Sequence, residues 1–255
     1  MNILSTTIEA MNLPFTISLV TQHIKQVQPI LDTVKKTVAT ELNRIETKFS
    51  AFQENSMVSQ FQKGNLSVIT DAEFQSVYTK VLAAQKETNG LFNPYFDGGY
   101  NPTGFVKGWA IQQIFKNFLI PLFRYDTIEA ICFNGGGDMQ FATKLRSTFH
   151  WQIGIDNPYQ LNELIEQFKL QKGAIATSGF SKRGNHVFGN SKELSQVTII
   201  GLDIATTDMW ATAILSASEK ESRQLITEHH LSGVYVTQNQ KKFYKHGVFY
   251  DETKT

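Results

Sequence analysis

The spacing of apolar residues changes once along this chain, near residue 127. Before that point apolar residues recur at intervals of three or four, which is the period of an α-helix. After it, short apolar runs are separated by glycine and asparagine, which is typical of strands joined by turns. Helices followed by strands predict an α+β fold, with mixed or antiparallel sheets packed against helices, rather than a regularly alternating α/β fold.

The first half of the chain predicts one strand and two long helices. The strand is "FTISLV", residues 15–20. The second helix covers 71–88, with Asp71 as its N-cap and a stop at Asn89 and Gly90. The first helix ends near Phe49, and its apolar stripe consists of Ile30, Val34, Val38, Leu42, Ile45 and Phe49.

The second half predicts strands with a short helix over 205–217. The last two strand-like runs, "GVYVT" and "KKFYKHGVFY", alternate as a C-terminal hairpin. No repeat, low-complexity tract or linker interrupts the chain, so we expect residues 1–255 to form a single domain. The other predicted strands are "IEAICF", "MQFAT", "WQIGI", "AIATS" and "SQVTIIGL".

Composition excludes several classes of protein. The 255 residues are 41% apolar, enough to build a core, and 24 basic against 23 acidic side chains leave a formal net charge of +1. Because nucleic acid is bound largely through excess positive charge, we expect no nucleic-acid partner. Cys132 is the only cysteine, which excludes an internal disulfide. No run reaches the ~18 apolar residues of a membrane span, and the N-terminus lacks a basic leader, so we expect a cytoplasmic protein.

The segment "NPTGFVKGW" combines helix-start signals with a lysine. Asn101 is a suitable N-cap and Pro102 a suitable first helical residue, which would leave the N–H groups of Thr103 and Gly104 free to attract an anion. Lys107 would add positive charge within two turns of that end. Spacing alone favours the alternative, an amphipathic surface helix with a solvated lysine.

A second segment, "EAICFNGGGDMQF", is a strand that enters three glycines, residues 135–137, followed by Asp138. Glycine permits a positive φ and close approach of a ligand. A strand-like run follows instead of a helix, which excludes the phosphate-binding P-loop and the dinucleotide fingerprint. A tight hairpin and a ligand-binding loop remain equal alternatives.

Two further segments carry candidate catalytic groups. In "ATTDMWATAIL", Asp208 and Thr212 lie four residues apart on one helix face and offer hard oxygen ligands suited to Mg²⁺. The alternative is an acidic residue on the exposed first turn of a helix, stabilised by the helix dipole. In "AIATSGFSKRGNHVFG", His186 follows a strand in a glycine-flanked basic loop and is a candidate proton acceptor.

Taken in chain order, these segments resemble the ApbE family of FAD:protein FMN transferases, over almost the whole chain. "MNLPFTI" is similar to the family's "MGTPF"-type strand, "RIETKFSAFQENSMVSQFQKG" to "RLFSTYDPDSELSRLN", and "NGLFNPYF" to "GAFDPT". The most specific matches pair "NPTGFVKGWAI" with D-P-S-G-x-x-K-G-W-A and "FNGGGDM" with N-x-G-G-D. "AIATSG" and "GNHVFG" are similar to A-T-S-G and the H-I-x-D-P loop, and "TTDMWATA" to A-D-A-L-A-T-A.

The resemblance implies an ApbE-like fold of two lobes in one compact chain and a set of site residues. It implies Mg²⁺ on the Gly104 carbonyl, the Asp208 carboxylate and the Thr212 hydroxyl, with His186 as the base. It places Lys107 close to the FAD diphosphate. The full set of implied flavin-nucleotide contacts is Met11, Phe52, Leu91, Phe92, Asn93, Asn101, Lys107 and Phe188.

The implied reaction is Mg²⁺-dependent transfer of FMN from FAD to a threonine or serine of a target protein, with release of AMP. The target would carry an S/D-G-A-T/S motif, and this chain contains no D-G-A-T or S-G-A-T. The alternatives are an Mg²⁺-dependent FAD pyrophosphatase and a non-catalytic protein that binds and delivers FAD.

The chain departs from the family pattern at several positions. Asn101 replaces the usual aspartate, Phe52 a frequent tyrosine, and Ala205 an acidic metal ligand of some members. The D-P and T-G residues that usually follow the histidine are missing after His186. Because fewer carboxylates weaken Mg²⁺ binding, we expect the ion to bind together with FAD, whose phosphates would supply ligands.

Overall fold

The computed structural model describes residues 1–160, 162–179 and 193–250. Its helices and antiparallel sheets confirm the predicted α+β class. None of the helices in these ranges has the length and hydrophobicity that a membrane crossing requires. The helices are α1 (Ile24–Phe49), α2 (Met57–Gln62), α3 (Ala72–Glu87), α4 (Thr103–Ile114), α5 (Ile204–Ser216) and α6 (Glu219–Glu228).

The described strands form one nine-stranded sheet and one two-stranded sheet, β5–β6. The large sheet has the order β1-β2-β3-β4-β7-β8-β9-β10-β11, and every pair of neighbours is antiparallel. The strands are β1 (Asn2–Ala10), β2 (Leu13–Thr21), β3 (Ala130–Gly135), β4 (Asp138–Thr143), β5 (Trp151–Asp156), β6 (Leu164–Leu170), β7 (Gly173–Gly179), β8 (Leu194–Gly201), β9 (Ser232–Thr237), β10 (Lys241–Lys245) and β11 (Val248–Tyr250).

Both faces of the large sheet are covered at its centre. Ile131 and Phe133 of β3 point into the main core, among side chains of the helices. Ala130 and Cys132 point to the opposite face, where Trp151 and other β5 side chains cover them. A strand covered on both faces has no polar side to show, which explains the continuous apolar run "AICF".

Helix α4 differs most from its prediction. It is buried on nearly all sides, with Phe105, Trp109 and Ile111 all in the main core, so it is not the amphipathic surface helix that its spacing suggested. The chain continues into a π-helical turn over 115–119 and a 3₁₀ turn over 120–124 that contains Pro121. A helix apolar all round is typical of the interior of a domain.

Several elements were not predicted from the sequence. Strands β1 and β6 and the short helix α2 are among them. Helix α6 follows α5 at once and begins with a capping box, in which Ser218 and Glu221 bond each other's backbone N–H groups. Its Ser-x-x-Glu pattern is a helix-start signal that the sequence analysis overlooked.

Candidate active site

A cavity of about 570 Å³ opens between the β1–β2 turn, α1, the loop before α4, and the helices α4 and α5. Its volume lies within the range of small-molecule and cofactor sites, about 300–1,000 Å³. The cavity is lined by Met11, Asn12, Leu13, Ile45, Glu46, Phe49, Ser50, Phe52, Gln53, Leu91, Phe92, Asn93, Phe96, Asn101, Thr103, Gly104, Val106, Lys107, Thr212 and Ser216.

Apolar and aromatic side chains form most of one wall. Phe92 is buried, whereas Phe96 is 40% exposed and Phe52 is 83% exposed. A phenylalanine that exposed gains nothing from burial in the folded protein alone, and at a cavity rim its ring is available to a ligand. This wall therefore suits a flat aromatic ligand.

The turn between β1 and β2 forms another part of the wall. Its two central residues, Met11 and Asn12, have positive φ angles of 51° and 58°. Such angles suit a tight hairpin but are uncommon for a methionine. The Met11 N–H donates to Glu46 Oε2 of α1 at 2.9 Å, which fixes the turn against the helix.

The polar end of the cavity depends on a close approach of α4 to α5. A Cβ atom at Gly108 would lie 3.1 Å from both the Ala205 Cα and the Ile204 carbonyl oxygen, and 3.3 Å from the Asp208 Cβ. Only glycine allows the two helices to touch at this point without a shift. The glycine after Lys107 therefore brings that lysine next to Asp208.

Lys107 is held by two buried carboxylates. Its Nζ bonds Asp138 Oδ2 and lies 3.3 Å from Asp208 Oδ2. The side chains are 12%, 3% and 1% exposed respectively, so this cluster lies in the interior although Lys107 also lines the cavity. One ammonium between two carboxylates leaves a formal charge of −1 below the cavity.

Backbone contacts fix the position of Asp138. Gly136 and Gly137 have φ angles of 64° and 103°, and they form a two-residue hairpin that returns the chain into β4, where Asp138 is the first residue. Asp138 Oδ1 accepts the Thr177 N–H of β7 at 3.0 Å. Of the two alternatives for the three glycines, the structure shows the tight hairpin.

Two hydroxyl groups lie beside this cluster. Thr212 Oγ1 is 3.3 Å from Ser178 Oγ, and Thr212 lines the cavity. The Asp208 carboxylate, the Thr212 hydroxyl and the Gly104 carbonyl are hard oxygen groups of the kind that Mg²⁺ prefers. Within residues 1–160, 162–179 and 193–250 no group of three or more His, Cys, Asp or Glu side chains could hold a metal ion.

Asn101 is fully engaged by the protein. Its Oδ1 accepts from the Thr103 N–H at 3.1 Å and from the Thr103 hydroxyl, while its Nδ2 donates to Asp97 Oδ2 at 3.0 Å. Helix α4 begins at Thr103 with Pro102 as its N-cap, one residue later than expected. The prediction of a free Thr103 N–H is wrong, because the preceding asparagine occupies it.

A sequence model of the ApbE family matches residues 11–101 and 100–236. The chain belongs to the ApbE family. The match includes every segment that builds the cavity, from the Met11 turn to α5. No curated protein matches the sequence significantly.

Solved ApbE structures have the same fold. The ApbE protein of Thermotoga maritima has a TM-score of 0.78 at 19% identity and covers 95% of this chain and 97% of its own. The flavin transferase ApbE of Vibrio cholerae gives 0.73 at 14% identity, with 96% and 98% covered. The apo flavinyl transferase ApbE of Pseudomonas stutzeri gives 0.68 at 13% identity, with 96% of each chain covered. At these identities the likeness establishes the fold alone.

The cavity brings together most of the residues that the ApbE motifs single out. Asp208 lies behind Lys107, and at 1% exposure it is not on an exposed first turn as expected, because that turn packs against Gly108 of α4. His186 and Phe188 lie outside the described residues. The residues that line the cavity are Met11, Phe52, Leu91, Phe92, Asn93, Asn101, Gly104, Lys107 and Thr212.

Three polar residues of the ApbE cavity region were not singled out as site residues. Asp138 had a signal, since it ends the matched "FNGGGDM" motif as a charged residue between two apolar runs. Ser178 also lies in a matched motif, "AIATSG". Glu46 had none, because its bond to the Met11 N–H spans 35 residues of sequence.

Proposed function

We propose that this ApbE-family protein transfers FMN from FAD to a threonine or serine hydroxyl of a target protein, in an Mg²⁺-dependent reaction that releases AMP. The observation that supports this most strongly is a cavity with an aromatic wall at one end and a buried lysine with two carboxylates at the other. An aromatic ring system joined to a diphosphate matches both ends. The flavin transferase activity named for the Vibrio and Pseudomonas proteins agrees with this proposal.

The aromatic end would hold the isoalloxazine ring. Phe92 and Phe105 pack edge to face at 6.4 Å between ring centroids, which keeps the Phe92 ring in place. Phe52 and Phe96 lie at the rim with exposed rings that a flavin would cover. Met11 would contribute to the same wall through the turn that Glu46 fixes.

The lysine end would hold the diphosphate. Lys107 lines the cavity, and its charge favours phosphate oxygens there. It lies in the second turn of α4, whose positive dipole end points the same way. Asn101 would act here by fixing Thr103 and the loop to Asp97, since its own polar atoms already have protein partners.

The residues present fit Mg²⁺ in charge and ligand type. The Asp208 carboxylate, the Thr212 hydroxyl and the Gly104 carbonyl would hold the ion, and the excess negative charge of the Lys107 cluster favours a cation. Phosphate oxygens of FAD would complete its coordination. When bound, Mg²⁺ would neutralise the negative charge that develops on the phosphate oxygens.

His186 is our proposed general base. It would accept the proton of the acceptor hydroxyl while the hydroxyl oxygen forms a bond to the FMN phosphorus. The bond from that phosphorus to the bridging oxygen breaks, and AMP leaves with the oxygen. The acceptor belongs to another protein, because this chain lacks the acceptor motif.

The test is to incubate the protein with FAD, Mg²⁺ and a peptide that carries an S-G-A-T or D-G-A-T motif, and to follow AMP and the peptide mass. We expect AMP and an FMN-labelled peptide in equal amounts, and neither product without Mg²⁺. His186→Ala should slow transfer by about 10²–10⁴-fold with FAD affinity unchanged. AMP with free FMN would instead identify a pyrophosphatase, and bound FAD without AMP would identify a carrier.

A further inference from the structure

We infer that Asp138 is a positioning residue that holds the Lys107 ammonium away from Asp208, so that Asp208 stays available to a cation. This inference rests on the proposed function. It assigns a role to a side chain that does not line the cavity and therefore acts through Lys107.

The geometry gives Lys107 two carboxylate partners of unequal proximity. Asp138 is the closer one, and Asp208 Oδ2 lies 3.3 Å from the Nζ atom. Lys107 is attached to α4, from which its long side chain can turn toward either partner. Asp138, in contrast, is fixed at the start of β4 by the glycine turn and by the Thr177 N–H.

The charges explain why the division matters. A lysine paired only with Asp208 would neutralise that carboxylate and compete directly with a cation for its oxygens. With Asp138 as the main partner, the lysine charge is balanced by a side chain that the cavity does not reach. The cluster then keeps one carboxylate charge in excess on the side of α5.

Both oxygens of Asp138 are used in this arrangement. Oδ2 bonds Lys107, and Oδ1 accepts from the backbone of β7 close to Ser178. Asparagine at this position keeps the size and the acceptor oxygen for Thr177 but removes the charge. Asp138→Asn therefore isolates the electrostatic role from the structural one.

The experiment titrates Mg²⁺ calorimetrically into protein saturated with FAD. We expect Asp138→Asn to weaken Mg²⁺ binding by about 10–100-fold, as is usual when the partner of a metal-site group is lost. The KM for FAD should change less than the Mg²⁺ dissociation constant. Asp126→Asn is the matched control, because Asp126 pairs with Lys144 at a fully exposed site, and it should leave Mg²⁺ binding unchanged.

The double variant Lys107→Met/Asp138→Asn decides between the possible roles of Asp138. If Asp138 acts by restraining the lysine, removal of the lysine restores Mg²⁺ binding at least to the wild-type level. Weak Mg²⁺ binding in the double variant would mean that Asp138 holds the ion itself and would overturn the inference. This comparison with the wild type stands even if the single Asp138→Asn variant fails to fold.

Two outcomes separate this inference from the proposed function. Wild-type protein that binds neither FAD nor Mg²⁺ overturns both. Wild-type protein that binds both, with Asp138→Asn indistinguishable from it in Mg²⁺ affinity, overturns the inference alone. Rescue by Asp138→Glu, which keeps the charge, would add support, and we expect its Mg²⁺ affinity to lie between those of the wild type and Asp138→Asn.

Discussion

Two ionic clusters in this molecule use the same kinds of side chain and differ in where they lie. One joins α1 to α3 at the surface: Arg44 bonds Glu41 and both oxygens of Glu73, and Lys48 bonds Glu73 and Asp71. Its arginine is 43% exposed. The other is the Lys107 cluster, whose two carboxylates are at most 3% exposed.

The difference concerns what each cluster contributes. Exposed ion pairs are screened by water, and each contributes about 0–1 kcal/mol to stability. A buried cluster must overcome the desolvation of every charge, so well-packed apolar residues would usually stabilise the fold as well or better. The surface cluster fastens two helices, whereas the buried one is better explained by a ligand that needs its charges.

The largest effect is expected at Asp208. Asp208→Asn should lower Mg²⁺-dependent AMP release by about 100-fold or more, because it removes the only carboxylate among the proposed metal ligands. Lys107 keeps Asp138 as its partner, so the fold should persist. Thr212→Val should act in the same direction more weakly, and unchanged AMP release in both variants would remove the metal assignment.

Lys107→Met should show how costly the buried charges are. It leaves two carboxylates in the interior without their shared cation, and loss of one partner from a buried pair typically costs about 3–5 kcal/mol. Urea unfolding at pH 7 measures the loss. A cost below about 1 kcal/mol would place this cluster with exposed ion pairs.

Arg44→Met, the equivalent change in the surface cluster, should cost about 1 kcal/mol or less, since its pairs are partly exposed. FAD affinity and AMP release should be unaffected, because Arg44 does not line the cavity. The same urea series measures this cost. Equal costs for the two variants would abolish the contrast between the clusters.

The surface cluster should also set part of the acid stability. The Arg44 hydrogen bond lowers the pKa of Glu73 below its ordinary 4.5, and the Lys48 hydrogen bond lowers the pKa of Asp71 below 3.8. Because both pKa values are lower in the folded state, their contribution is complete above pH 4.5 and is lost as the pH falls through the folded-state values. Arg44→Met should therefore lose less stability than the wild type between pH 5 and about 3, and parallel pH profiles would contradict this.

Local patterns predicted the elements that depend on neighbours in sequence. The apolar stripe of α1 and the Asp71 cap of α3 are examples, and both are present in the structure. The motifs also named most of the cavity lining. They did not predict the partners of Lys107, because Asp138 is 31 residues away and its position depends on strand pairing. The burial of α4 was missed for the same reason, since it depends on packing between distant segments.

The most direct test of the proposed site is an equilibrium titration of the protein with FAD, FMN and riboflavin in the presence of Mg²⁺. A site that joins an aromatic wall to the Lys107 cluster predicts clearly tighter binding of FAD than of FMN or riboflavin. The preference should shrink in Lys107→Met and persist in Arg44→Met. Equal affinity for the three flavins would contradict the proposal that this cavity is an FAD site.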